Sequence, residues 1–86
     1  NSETPVMIDF YADWCGPCKS LGPKLEESVK EKNFTLVKVN VDDHGELSEE
    51  YDVSGIPHVI LFKGGKKESS FVGNNSDALN KMKNLI

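Results

Sequence analysis

Cys15 and Cys18 are the two cysteines of the chain, and only Gly16 and Pro17 separate them. An apolar run at residues 5–11 precedes them, and a stretch with helical spacing of apolar residues follows. Two thiols this close can cycle between a dithiol and a disulfide, so the spacing predicts redox chemistry. Between them, the glycine would let a partner backbone approach closely, and the proline would fix the turn.

The position of each cysteine relative to the helix predicts its role. Cys15 lies just ahead of the first turn, where unpaired backbone N–H groups and the helix dipole stabilise negative charge. We therefore expect Cys15 to have a lowered pKa and the greater exposure, and to attack a substrate disulfide. Cys18 shares an apolar stripe with Leu21 and Leu25, so it would face inward and resolve the mixed disulfide.

Two other interpretations of the cysteine pair are weaker. A disulfide that closes so short a loop stabilises a fold by only about 2 kcal/mol in the chain-entropy model, which makes it a poor structural bridge. A zinc site would need His44 or His58 to complete the ligand set, but the two histidines are isolated in the sequence. We therefore predict no metal site.

Composition narrows the class of protein further. The 86 residues, 37% of them hydrophobic, suffice for one small core, so we predict a single domain over residues 1–86. The formal net charge is −4 and all ten basic residues are lysines, which argues against nucleic acid or an anionic membrane as the main partner. Apolar runs are much shorter than the roughly 20 residues of a membrane span. We expect a monomer.

The apolar periodicity predicts an α/β fold with the element order βαβαββα. Strands are predicted at residues 5–11, 34–42, 59–62 and about 67–72. Helices are predicted at residues 17–32, with a kink at Pro23, at residues 46–51, and after a cap at Asn75 or Ser76. A parallel crossover followed by a hairpin would give a four-stranded mixed sheet flanked by helices. Residues 34–42 would then form an edge strand, whose apolar face would comprise Thr35, Val37, Val39 and Val41. The cysteines would follow the carboxyl end of the first strand, where open α/β sheets place their sites.

The chain resembles the thioredoxin family from about Val6 to its C-terminus. Several segments carry the resemblance in the same order and spacing: the active-site signature at residues 9–19, Pro23 in the following helix, Lys38 to Asp42 in the next strand, Gly55-Ile56-Pro57 at the cis-proline loop, and Gly73. The resemblance implies a thioredoxin fold in a short version that lacks the usual N-terminal strand and helix.

The resemblance also implies roles for individual residues. Asp9 would be a buried carboxylate beneath the thiols that relays a proton to or from Cys18, with a pKa raised by burial and moderated by Lys38. Trp14 would shield the site and contact substrate.

The remaining implied residues form the substrate groove. Ile56 and Pro57 would offer backbone groups to an extended substrate chain, with Gly73 close by. His58 stands where the family usually has a small hydroxyl residue. Either it is an ordinary residue at the start of a strand, or it changes substrate choice or pH dependence.

The function that the resemblance implies is that of a thioredoxin-type protein-disulfide reductase and electron carrier. It would hold no bound cofactor beyond its redox-active Cys15–Cys18 disulfide, and a thioredoxin reductase drawing on NADPH would recharge it. The Gly-Pro dipeptide between the thiols favours reduction of substrate proteins over oxidation. The alternatives are an oxidising or isomerising module of a secretory compartment, and a non-catalytic binding subunit. We expect a cytoplasmic location, with organellar or secreted locations left open because the sequence begins at Asn1 without methionine.

Overall fold

The computed structural model describes residues 4–86 and contains seven elements in the predicted order. The strands are β1 (Val6–Tyr11), β2 (Thr35–Asn40), β3 (His58–Lys63) and β4 (Lys66–Val72). The helices are α1 (Gly16–Glu31), α2 (Gly45–Glu50) and α3 (Ser76–Lys83). Each predicted element is present, with ends that differ by a few residues at most. The first three residues of the predicted domain lie outside the described residues, and the domain assignment stays a prediction.

The four strands form one mixed sheet in the order β2-β1-β3-β4. Strand β1 pairs with β2 in parallel and with β3 antiparallel, and β3 pairs antiparallel with β4. The predicted α/β architecture and the edge position of β2 are therefore confirmed. The pairing also aligns Asp9 on β1 with Lys38 on β2 and with Val59 on β3, so these three residues are neighbours in the sheet.

The predicted apolar face of β2 is only partly correct. Val39 is buried, but Val37 on the same face is 40% exposed, whereas Leu36 on the opposite face packs against the main core. The physical reason is the edge position: residues of the neighbouring α2 are exposed or half-buried, so this helix does not bury the middle of β2. Alternation within the strand was therefore an unreliable guide to which of its side chains are buried.

The main core lies between the sheet and the helices α1 and α3. Its fully or almost fully buried residues come from β1 and β3 and from the apolar stripes of the two helices: Met7, Val59, Leu61, Leu21, Leu25, Leu79 and Met82. A smaller cluster on the other face of the sheet centres on Phe10, Val39 and Ile60, and the half-buried Tyr51 at the end of α2 packs against it. Because successive residues of a strand point to opposite faces, Asp9 lies on the α1 side and Phe10 on the α2 side.

Helix α1 is positioned by residues at its ends and by its buried stripe. Cys15 is its N-cap, and Pro17 occupies the first turn, where the missing N–H costs no helical hydrogen bond. Pro23 lies inside the helix, directly after the buried Gly22. Leu21 and Leu25 anchor the helix on the sheet, which holds its N-terminus over the carboxyl end of β1.

Candidate active site

The two cysteines form a disulfide at the N-terminus of α1, with their Cα atoms 5.2 Å apart. The turn between β1 and α1 is closed by a hydrogen bond from the Cys15 N–H to the Ala12 carbonyl oxygen, 3.2 Å. Both cysteines are buried, at 5% and 6% exposure, so the predicted greater exposure of Cys15 is wrong for the disulfide form. The reason is that the two side chains cover each other and pack against Ala12, Tyr11 and Ile56.

The helix end directs a hydrogen-bond donor at the first sulfur. The Cys18 backbone N–H donates to the Cys15 Sγ atom over 3.2 Å, so the sulfur occupies the place of an N-cap oxygen. A thiolate there would keep this hydrogen bond and gain from the helix dipole, which is the arrangement that lowers the pKa of a thiol. This geometry agrees with the predicted nucleophilic role of Cys15, and that role stays a prediction.

The loop before β3 lies against the cysteines. The Ile56–Pro57 peptide bond is cis, and the Ile56 carbonyl oxygen lies 3.9 Å from Cys15 Sγ. The Gly73 N–H donates to the Pro57 carbonyl oxygen over 2.8 Å, and its φ of +94° is one that favours glycine. Ile56 therefore lies beside Cys15, and Gly73 is hydrogen-bonded to Pro57. The binding of substrate by Ile56, Pro57 and Gly73 stays a prediction.

Trp14 is exposed on the surface next to the cysteines. Its side chain is 69% exposed, and its indole Nε1–H donates to Asp42 Oδ2 over 2.9 Å. Asp42 was not among the predicted site residues. A signal was present, because Trp14 and Asp42 both follow the carboxyl ends of parallel neighbouring strands and must lie at the same edge of the sheet. The hydrogen bond fixes the indole at the rim of the site.

Asp9 is buried in β1 on the face that α1 covers. It is 2% exposed, and its Oδ1 atom has no hydrogen-bond partner among residues 4–86. Burial raises the pKa of the Asp9 carboxyl from 3.8 to about 6, and the positive charge of Lys38 moderates the rise. The predicted burial and the direction of the pKa change are confirmed. The relay of a proton to Cys18 stays a prediction.

Lys38 and Cys18 line the same cavity, which has a volume of about 360 Å³. Its Nζ atom is 3.2 Å from Glu26 Oε2 and 5.3 Å from the centre of the Tyr11 ring. The cavity is lined by Cys18, Tyr11, Glu26 and Lys38, among others. Glu26 and Tyr11 were not among the predicted site residues, because their contacts with Lys38 depend on the strand register and on how α1 lies across the sheet.

His58 lies on the opposite face of the sheet from Asp9. It pairs with Phe10 across the β1–β3 ladder, and the two rings are 6.2 Å apart at an edge-on angle. His58 is 8% exposed, and its Nδ1 atom is without a partner within the described part of the chain. Burial lowers the pKa of its imidazole, and the nearby charge of Lys67 lowers it further. The side chain therefore does not face the buried carboxylate.

Two further features bear on the kind of site. Within residues 4–86, no group of three or more histidine, cysteine or carboxylate side chains is placed to hold a metal ion. Across the same residues, no helix has the length and apolar character needed to cross a bilayer.

A four-stranded mixed sheet that presents a dithiol–disulfide pair at a helix N-terminus, next to a cis-proline, defines a protein of the thioredoxin fold. The family model described as thioredoxin matches residues 1–84, and the chain belongs to the thioredoxin family.

Relatives and solved structures agree with this assignment. The chain is 52% identical over 75 residues to a mitochondrial thioredoxin of Mus musculus. The matched segment covers 85% of this chain but 45% of that protein. It is 51% identical over 74 residues to a thioredoxin of Mycoplasmoides gallisepticum, covering 85% of the chain and 74% of the relative. The chain thus spans about half the length of the mitochondrial relatives that it matches.

The solved structures cover almost the whole chain. The thioredoxin of Fasciola hepatica superimposes with a TM-score of 0.92 at 33% identity, over 98% of this chain and 82% of that one. The oxidised mitochondrial thioredoxin 3 of Saccharomyces cerevisiae gives a TM-score of 0.91 at 32% identity, over 99% and 81% of the two chains.

Proposed function

We propose that the protein is a protein-disulfide reductase that works by dithiol–disulfide exchange. The observation that carries the proposal is the Cys15–Cys18 pair at the N-terminus of α1, with a backbone N–H directed at the first sulfur. Membership of the thioredoxin family supports the same activity. Both cysteines would be catalytic residues, Cys15 as the nucleophile and Cys18 as the resolving thiol.

The reaction proceeds in two exchange steps. The Cys15 thiolate attacks one sulfur of a substrate disulfide; a Cys15–substrate bond forms, the substrate disulfide breaks, and the first substrate thiolate leaves. Cys18 then loses its proton and attacks Cys15 Sγ, which forms the Cys15–Cys18 disulfide and releases the second substrate thiolate. Two electrons pass from the dithiol to the substrate, and the two substrate thiolates take up protons.

Asp9 would accept the proton that Cys18 gives up. A carboxyl with a pKa of about 6 is mostly ionised at neutral pH and can still take up a proton at modest cost. Its burial and its unpartnered Oδ1, in the part of the chain that the structure describes, support a proton-accepting role. Lys38 would limit the rise of the Asp9 pKa, since an adjacent positive charge favours the ionised form.

The substrate would be an extended protein segment that carries a disulfide. The loop that contains Ile56 and Pro57 lies beside Cys15 and would offer main-chain groups for short strand-like pairing, and Gly73, which has no side chain, would border the same groove next to Pro57. Trp14 would present its exposed ring to the same segment. Gly16 and Pro17 are both exposed in the first turn of α1, which supports close approach of a substrate backbone.

The protein would be returned to the dithiol form by a thioredoxin reductase that draws electrons from NADPH. The protein itself would need no resident cofactor, because the Cys15–Cys18 pair holds both electrons. We further propose a monomer that works in the cytoplasm, where thiols are kept reduced. Relatives of the chain are named mitochondrial and chloroplastic, so fractionation of the source cells is the test of the compartment.

The reduction potential of the Cys15–Cys18 pair is the first test. Equilibration against a defined thiol buffer should give a value below that of the glutathione pool, near the value already known for thioredoxins of about −270 mV. A value near about −180 mV or higher would instead indicate an oxidising or isomerising protein.

Trapping of substrates tests the order of the two cysteines. A Cys18→Ser variant should accumulate mixed disulfides through Cys15, because the resolving step is removed. The matched Cys15→Ser variant should accumulate far fewer. Equal trapping by the two variants would contradict the assignment, and full biological activity of Cys15→Ser would indicate a binding subunit that does not need turnover.

A further inference from the structure

We infer that Glu26 is a positioning residue that holds the Lys38 ammonium at the mouth of the cavity, away from the buried Asp9 carboxyl group. The inference deepens the proposed function. It rests on that function in one respect, the role of Asp9 as the proton acceptor. It concerns which of two carboxylates the ammonium of Lys38 pairs with.

Strand pairing places Lys38 next to Asp9. The two residues are direct register partners on the parallel strands β1 and β2, so their side chains share the face that α1 covers. The flexible stem of a lysine lets one ammonium serve either a buried or an exposed carboxylate. Nevertheless, Asp9 Oδ1 is without a hydrogen-bond partner in residues 4–86, and the Lys38 ammonium donates to Glu26.

Two contacts, and the absence of a side chain at Gly22, favour this outer position of the ammonium. Glu26 Oε2 lies 3.2 Å from Lys38 Nζ, and the Tyr11 ring lies 5.3 Å from it in a cation–π arrangement. On α1, Gly22 has no side chain at the point closest to the ammonium: a Cβ atom there would lie 4.0 Å from Nζ. Glu26 follows Gly22 by one helical turn, so its carboxylate projects from the same side of α1.

Glu26 and Asp9 compete for the Lys38 ammonium, and this competition affects the pKa of Asp9. When Lys38 is paired with Glu26, its charge compensates the Asp9 charge only from a distance. Burial is therefore the larger of the two effects on the Asp9 pKa. If Glu26 lost its charge, the ammonium would be free to turn inward and stabilise ionised Asp9. The residue of β3 that pairs with Asp9 is the apolar Val59. The charged or titratable groups that line the cavity from β1, its following turn, α1 and β2 are Tyr11, Asp13, Cys18, Lys19, Glu26 and Lys38.

The test is the pKa of the Asp9 carboxyl group, followed by carbon NMR in the disulfide form, where neither cysteine titrates. Glu26→Gln should lower this pKa by about one pH unit, the effect of bringing an opposite charge close. Glu27→Gln is the matched control: it removes the same charge from the next residue of α1, but Glu27 lines the groove between α1 and α3. Its effect should be much smaller.

A second background separates the action through Lys38 from a direct effect of the Glu26 charge. In a Lys38→Met protein the Asp9 pKa should be higher than in the wild type, and adding Glu26→Gln should no longer change it. An effect of Glu26→Gln that persists in this background, or that Glu27→Gln matches, would overturn the inference. The measurement uses no substrate and no turnover, so its failure would leave the reductase proposal intact.

Discussion

Substituting Asp9→Asn should stabilise the folded disulfide form at neutral and alkaline pH. The wild-type carboxyl is 2% exposed, and burial raises its pKa to about 6, against 3.8 for an accessible carboxyl. Between these two values the folded state keeps a proton that the unfolded chain releases. The contribution of Asp9 to the free energy of unfolding is therefore fully present below pH 3.8, and this contribution is lost as the pH rises through 6.

The size of this effect follows from the two pKa values. A difference from 3.8 to about 6, at about 1.36 kcal/mol per pH unit, corresponds to about 3 kcal/mol of stability lost by the wild type on going from acid to alkaline pH. The Asp9→Asn side chain has nearly the same shape and stays neutral throughout. The difference in free energy of unfolding, variant minus wild type, should thus grow by about 3 kcal/mol between pH 3.5 and pH 8.

The assay is urea denaturation of the oxidised proteins, followed by circular dichroism at several pH values. Taking the difference between variant and wild type removes the titration of groups common to both, including His58. Asp13→Asn is the matched control, because Asp13 is an exposed carboxylate in the turn after β1. Its difference should stay nearly constant with pH. A flat difference for Asp9→Asn, or one that shrinks as the pH rises, would refute the account of Asp9 as a buried, poorly compensated carboxyl.

Three further substitutions test other parts of the structure. His58→Thr should reduce the loss of stability that sets in below pH 6.5, because the lowered pKa of buried His58 makes the folded state resist protonation; an unchanged acid limb in urea denaturation would contradict this. Leu25→Ala should cost about 2–5 kcal/mol, since Leu25 is completely buried between α1 and the sheet; a cost below about 1 kcal/mol would show a core that collapses freely. Asn75→Ala should cost about 1 kcal/mol by removing the side-chain oxygen that accepts from the Ala78 N–H at the start of α3, and Asn75→Asp should largely keep the cap.

Periodicity and turn residues predicted the fold well, because each element carries a strong local signal. The cysteines could be placed at a helix N-terminus and the strand at 59–62 in the centre of the sheet from pattern alone. Asp9 was different. A carboxylate in an apolar strand has no local signal for its role, and its prediction came from the resemblance to the thioredoxin family.

The parts that the sequence could not predict depend on contacts between distant segments. Glu26 and Lys38 are 12 residues apart, and no local pattern in the sequence indicates that they meet. Which side chains meet is decided by the register of β2 on β1 and by how α1 crosses the sheet. The low exposure of Cys15 depends in addition on the disulfide, a covalent state that a sequence does not specify.

The electrostatics of the candidate site therefore depend on the register of an edge strand. Successive side chains of β2 alternate between the two faces, so a slip of one residue would replace Lys38 beside Asp9 by Val37 or Val39. The buried carboxyl would then lose the positive charge that moderates its pKa, and burial alone would act on it. Strand β2 is paired with β1 on one side and is anchored by Val39 on one face and Leu36 on the other. These two apolar contacts fix the register, and through it they control the charge that Asp9 experiences.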